Sequence, residues 1–222
     1  MSRNPQFLAL VRHGLSRANV AIQIPTDSHY YPINGSDRDV SLVPEGLVQS
    51  LETGQRLLER FPAQAPIDRS FISPFRRIRE TADKIDEALG YQPARSEDPR
   101  LEKRSYGDFW NMTYKGVEEL HPNEFQQYQS QGPLLYRAPN GENYPDVFAR
   151  VDGFIADVVE PSTDNILVVS HAVVILSFER AFEGLSDEDL LARYEAQSLA
   201  NGQIVLYTRS GPGHSWQRVA LD

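Results

Sequence analysis

The chain has 222 residues, 40% of them hydrophobic, with 22 Lys and Arg against 31 Asp and Glu, a formal net charge of −9. A chain of this length buries roughly 70% of the surface its unfolded form exposes, enough for one full core, and with no cysteine it does so without disulfides. The acidic balance argues against nucleic acid or anionic membranes as partners, since both need broad basic surfaces. No apolar run approaches the roughly 18 residues of a spanning helix.

Met1 to Gln6 lead without a signal-peptide apolar region into Phe7-Leu8-Ala9-Leu10-Val11, so a cytoplasmic protein is expected. That short, continuous apolar run reads as a strand buried on both faces. Ser16 to about Ile24 follows as a helix, and the polar stretch Pro25 to Val43 as a long loop with a turn at Asn34-Gly35. Pro44 to Phe61 shows helical spacing in Leu47, Leu51, Leu57 and Leu58. Arg69 to Ile72 reads as a strand, and Phe75 to Leu89 as a helix that Gly90 ends, with Ser73 as its N-cap and Pro74 as its first residue. Pro93 to Arg104 is extended, Tyr114 to Gln131 forms one or two helices around Pro122, and Tyr144 to Val159 forms another. The strand Asn165 to Ser170 precedes helices at Ala172 to Phe182 and Asp187 to Glu195. Gly202 to Thr208 and Trp216 to Ala220 read as closing strands.

This alternation predicts a single α/β domain, a three-layer sandwich whose mostly parallel central sheet carries helices on both faces. Residues 106–143 read as an inserted, lid-like segment. Its aromatics Trp110, Tyr114, Tyr128 and Tyr136 either cover a site or pack a small core of their own, and both can hold.

The chemistry sits at strand exits, where ligand sites of open α/β sheets gather. Arg12 and His13 follow the first strand, and Gly14 then allows a sharp turn and a close approach to a ligand. Ser16 and Asn19 add small polar side chains one turn later. Arg77 falls in the opening turns of a helix, the end that favours anions. His171 leaves the second apolar strand, Asn165 to Ser170. A lone Arg-His-Gly is a weak signal, but two strand-exit histidines and two guanidiniums form a constellation suited to a doubly charged phosphate.

The blocks Arg12-His13-Gly14-Leu15-Ser16-Arg17-Ala18-Asn19, Ser73-Pro74 with Arg77 and Thr81-Ala82, and Val168-Val169-Ser170-His171 together resemble the histidine phosphatase superfamily, which includes the cofactor-dependent phosphoglycerate mutases. The resemblance covers nearly the whole chain. It implies a phosphomonoester phosphatase that forms a covalent phosphohistidine on His13, with Arg12, Arg77 and His171 around the equatorial oxygens and Ser16 and Asn19 helping to hold the phosphate. A mutase-type phosphotransferase is the alternative within the same chemistry.

The chain departs from the family at the proton donor. Members usually read Leu-x-Glu, with Gly four residues after that glutamate. In Arg100-Leu101-Glu102-Lys103-Arg104-Ser105-Tyr106-Gly107, Lys103 stands at the expected position and Glu102 one residue early. A bulge can bring Glu102 in as the acid, Glu142 can serve instead, or the position is truly altered and turnover is reduced. Glu102 is the favoured assignment, and a phosphate-binding protein with weakened catalysis is the reading that Lys103 keeps open.

Competing chemistries find less support. No Gly-x-x-x-x-Gly-Lys phosphate loop is present, and Asp37-Arg38-Asp39 follows a turn instead of a buried strand. Five scattered histidines with no metal-ligand spacing predict no metal, and no cofactor is expected. The expected partner is a small phosphorylated substrate, with a homodimer open by analogy of fold alone.

Overall fold

The computed structural model describes residues 5–61, 65–196 and 199–220. Strand β1 (Gln6–Arg12) lies inside a six-stranded sheet with β2 (Arg69–Ile72), β3 (Ala94–Glu97), β4 (Ile166–Ser170), β5 (Ile204–Arg209) and β6 (Gln217–Val219), in the order β3-β2-β4-β1-β5-β6. The pairs β3-β2, β2-β4 and β4-β1 are parallel, whereas β1-β5 and β5-β6 are antiparallel. The predicted mostly parallel sheet is therefore present.

Alternation along the central strands divides the core in two. Leu8, Leu10, Ile166, Val168 and Tyr207 pack with residues of helices α6 (Tyr144–Phe154) and α7 (Ala172–Glu183). Ala9, Val11, Leu167, Val169 and Leu206 pack with residues of α2 (Pro44–Arg60) and α3 (Arg76–Leu89). These are the three expected layers. The remaining helices are the short α1 (Arg17–Ala21), α4 (Tyr114–Leu120), α5 (Pro122–Leu135) and α8 (Asp187–Glu195). Among the described residues no helix is long and apolar enough to cross a membrane.

Three local differences from the sequence expectation have physical causes. Helix α3 begins at Arg76 with Phe75 as its extended N-cap, because the Ser73 backbone N–H still donates to the Val169 carbonyl in the sheet ladder. The buried face of α2 is Gly46, Ser50, Thr53, Gly54 and Leu57, while Leu58 is exposed, since this helix approaches its neighbours too closely for a leucine stripe. Gly14 also serves packing: a Cβ there would stand 2.3 Å from the Gly46 carbonyl oxygen.

The segment 106–143 holds a short 3-10 turn at Gly107–Phe109 followed by α4 and α5, the latter kinked at Gly132. Phe109, Met112, Tyr136 and Ala138 form its own small apolar cluster. An isolated bridge between Tyr30 and Met112 ties it to the long loop that precedes α2.

The tight contact beneath the first loop predicts the effect of a single methyl group. A Cβ at Gly46 would lie 2.0 Å from the Leu15 backbone oxygen, so Gly46→Ala should cost about 1–3 kcal/mol, as overpacking typically does. Urea unfolding would read this as a lowered midpoint, and an unchanged midpoint would contradict it.

Candidate active site

Parallel register assembles the site. Arg12 stands opposite Ser170 and Ile72 opposite Val169, so three neighbouring strands end together, and the next residues are His13, His171 and Ser73. The His13 backbone N–H donates to the Ser170 carbonyl at 3.0 Å. The two imidazoles meet edge to face with ring centroids 5.4 Å apart, and both are buried. Ser73, expected as a helix cap, instead places its hydroxyl 3.0 Å from His171 Nε2. The Phe75 ring closes the other side of His171, 5.0 Å between centroids.

His13 Nδ1 lies 2.7 Å from the Gly14 carbonyl oxygen. A carbonyl only accepts, so Nδ1 carries the proton, and in the neutral ring Nε2 keeps its lone pair. Burial pushes the His13 imidazole well below its ordinary pKa, and the charges of Arg77, Arg12 and Lys103 add to that against the opposing pull of the Gly14 carbonyl. His171 is lowered in the same way, first by burial, then by Arg77, His13, Lys103 and Arg150. Its place at the start of α7 also puts it at the positive end of an apolar helix.

The cations converge on these rings. Arg77 is buried and donates from Nη1 to the Asp37 carbonyl at 2.8 Å and to its carboxylate Oδ1 at 2.9 Å. The other Asp37 oxygen accepts from Lys103 Nζ at 2.8 Å. Arg12 donates to the Leu199 carbonyl, and burial, then the charge of Arg77, lowers its guanidinium. Asn201 donates to the carbonyls of His13 and Gly14 and so braces the turn that carries the imidazole. Ser16 and Asn19 form the capping box of α1, with the Ser16 hydroxyl donating to Asn19 Oδ1 at 2.7 Å.

Arg12, His13, Ser16, Asn19, Arg77, Lys103 and His171 line one cavity of about 470 Å³, a volume typical of small-molecule sites. Glu102 does not. Its carboxylate takes two hydrogen bonds from Arg38 Nη2, at 2.7 and 2.6 Å. The one-residue offset places Lys103 at the cavity, while the Glu102 carboxylate pairs with Arg38 outside it. Glu142 is also elsewhere, accepting from the Ser105 backbone N–H and from Arg150. Sequence reasoning sets Asp37 aside with Asp37-Arg38-Asp39, which follows a turn, and misses Asn201, a turn residue that carries no motif signal.

Residues 8–220 match the model of the histidine phosphatase superfamily, branch 1. The chain belongs to this superfamily. A protein of Hydrogenobacter thermophilus provisionally named phosphoserine phosphatase 2 is 30% identical over 152 residues, 68% of this chain and 71% of its own. An Arabidopsis thaliana phosphoglycerate mutase-like protein, AT74, is 27% identical over 82% of this chain, which spans 62% of that relative's length. The alpha-ribazole phosphatase of Shigella flexneri shares the fold with a TM-score of 0.73 at 20% identity, covering 96% of both chains. A mycobacterial glucosyl-3-phosphoglycerate phosphatase, solved with VO3, does so with a TM-score of 0.66 at 20% identity, covering 97% of this chain and 98% of that one. Within this superfamily the chain is an enzyme of the phosphatase type.

The depressed histidines set a pH dependence of stability. The unfolded chain protonates both imidazoles below about pH 6.5, whereas the folded chain resists. Unfolding then takes up protons, so stability falls as pH falls through that window, by about 1 kcal/mol per histidine between pH 7.5 and 5.5. Urea midpoints across that range should fall less steeply for the double variant His13→Asn, His171→Asn; equal slopes in variant and parent would contradict the assignment.

Proposed function

We propose that this enzyme hydrolyses small phosphomonoesters without a metal, through a covalent phosphohistidine on His13. The observation that carries the proposal is the hydrogen bond from His13 Nδ1 to the Gly14 carbonyl, which leaves Nε2 as the nucleophilic atom in a cavity lined by His171 and two guanidiniums. In the first step the Nε2 lone pair attacks phosphorus in line, an N–P bond forms, and the P–O electron pair leaves with the ester oxygen. In the second, water attacks phosphorus, the N–P pair returns to Nε2, and inorganic phosphate departs.

Arg12, Arg77 and His171 would spread the charge of the transferring group over its equatorial oxygens, the main form of catalysis open to phosphoryl transfer. The planar guanidinium forks match pairs of phosphate oxygens. Asn19, and Ser16 through it, would fix the near side of the phosphate. Glu102, held by Arg38, stands outside this constellation. The phosphatase names of the relatives support hydrolysis over transfer to a second hydroxyl. Lys103 in the acid position is the observation behind the second reading, a phosphate-binding protein with weakened turnover.

Turnover of phenyl phosphate by the purified protein in excess chelator tests the proposal. Hydrolysis should persist, a phosphoryl group should be recovered on His13 after rapid quench and mass spectrometry, and His13→Ala should lower kcat/KM by at least about 10³-fold. Chelator-sensitive activity, or full activity in His13→Ala, would contradict the mechanism. Phosphate binding with no turnover would favour the binding protein, and bisphosphate-stimulated transfer between hydroxyls would favour a mutase.

A further inference from the structure

Beyond the phosphate, the cavity has an unusual chemical balance. Among the described residues that line it there is no aspartate or glutamate, although the chain as a whole is acidic. The groups it presents are guanidinium, ammonium, imidazole, amide, hydroxyl and phenol. The two carboxylates weighed as proton donors are engaged elsewhere, Glu102 by Arg38 and Glu142 by Arg150. Asp37 spends one oxygen on Arg77 and the other on Lys103 and does not line the cavity.

The far wall is aromatic. Tyr31, Tyr106, Phe109, Trp110, Tyr144 and Tyr194 line the space in front of His13. Lys103 sits among these rings, its ammonium 4.9 Å from the Tyr106 centroid and 5.4 Å from that of Trp110. The leaving part of any ester that passes its phosphoryl group to His13 must occupy this space, between flat apolar faces and the positive charge of Lys103.

We infer that this chain acts on aryl phosphates or comparably stabilised phosphate esters, those whose leaving oxygen departs as an anion, and that Lys103 stabilises that anion by charge where a carboxylic acid would otherwise protonate it. The inference rests on the phosphohistidine reading and narrows it. An alkoxide leaves from an alcohol about as weakly acidic as water and needs a proton as the P–O bond breaks. A phenolate derives from an acid of pKa about 10 and can leave unprotonated beside a cation. An ammonium is a far weaker acid than a carboxylic acid, so what it adds here is electrostatic stabilisation. In the balanced step the N–P bond forms at His13 Nε2, the P–O pair goes to the phenolate oxygen facing Lys103, and that oxygen takes its proton from solvent after release. The aromatic wall offers flat faces for the departing ring to stack on.

The test compares phenyl phosphate with benzyl phosphate, which keeps the ring but makes the leaving oxygen an alkoxide. The expected kcat/KM ratio favours phenyl by at least about 10²-fold, the contribution that a positioned acid typically supplies. Lys103→Glu should raise turnover of benzyl phosphate about tenfold or more and narrow the ratio. The parent ratio is informative whether or not that variant folds. Benzyl phosphate turned over within a few-fold of phenyl, with His13 labelled by both, would overturn the inference and leave the phosphohistidine intact. No label on His13 and no turnover of either ester would overturn the mechanism beneath it, and the inference with it.

Discussion

The parallel register of β2, β4 and β1 is the constraint on which the site depends. With Arg12 opposite Ser170 and Ile72 opposite Val169, the three strands stop level, and Ser73, His171 and His13 emerge side by side. A slip of one residue between β1 and β4 would send Leu8 and Leu10 to the face now held by Ala9 and Val11, so the two apolar layers enforce the register. The imidazole pair is thus held by several buried aliphatic side chains, and little of its geometry is left to the loops that carry it.

That geometry carries a cost that a ligand can relieve. A buried and a half-buried guanidinium share one cavity with two buried imidazoles, and the charge of Arg77 lowers the hold on protons of Arg12 and of both histidines. Burying like charges together is unfavourable unless counter-charges are supplied. Asp37 supplies part of it, bridging Arg77 and Lys103. Arg12 has no carboxylate partner among the described residues, and its Nε is buried without a hydrogen bond. A doubly charged phosphoryl group would complete the balance. Burial first, and the charge of Arg77 and the neighbouring cations after it, disfavours protonation of both imidazoles.

Much of this was legible in the sequence, for reasons that differ by residue. The apolar runs before His13 and His171 are long enough and isolated enough to read as buried strands, and both are. Gly90 ends α3 in the left-handed conformation that glycine favours. Ser73 misled because a serine before a proline carries the same local signal whether its hydroxyl caps a helix or, as here, reaches across to a histidine from a distant strand. The leucine spacing of α2 signals a helix correctly, but of those four leucines only Leu57 is fully buried, because close backbone approach selects glycine, serine and threonine, which hydropathy does not mark. Glu102 and Lys103 lie on an irregular segment whose side-chain directions are set by tertiary contacts, among them the hydrogen bond from the Ser170 hydroxyl to the Leu101 carbonyl. Asp37 and Asn201 act from loops, where no periodicity announces a role.

The central claim is that an oxyanion is bound on the His13 side of this cavity with Nε2 as its covalent partner. A crystal structure of the protein grown with vanadate measures this directly. The account predicts vanadium bonded to His13 Nε2, with Arg12, Arg77 and His171 donating to its equatorial oxygens and Nδ1 still bound to the Gly14 carbonyl. Vanadate seated elsewhere in the cavity with Nε2 unbonded, or a His13 ring flipped away from Gly14, would contradict it.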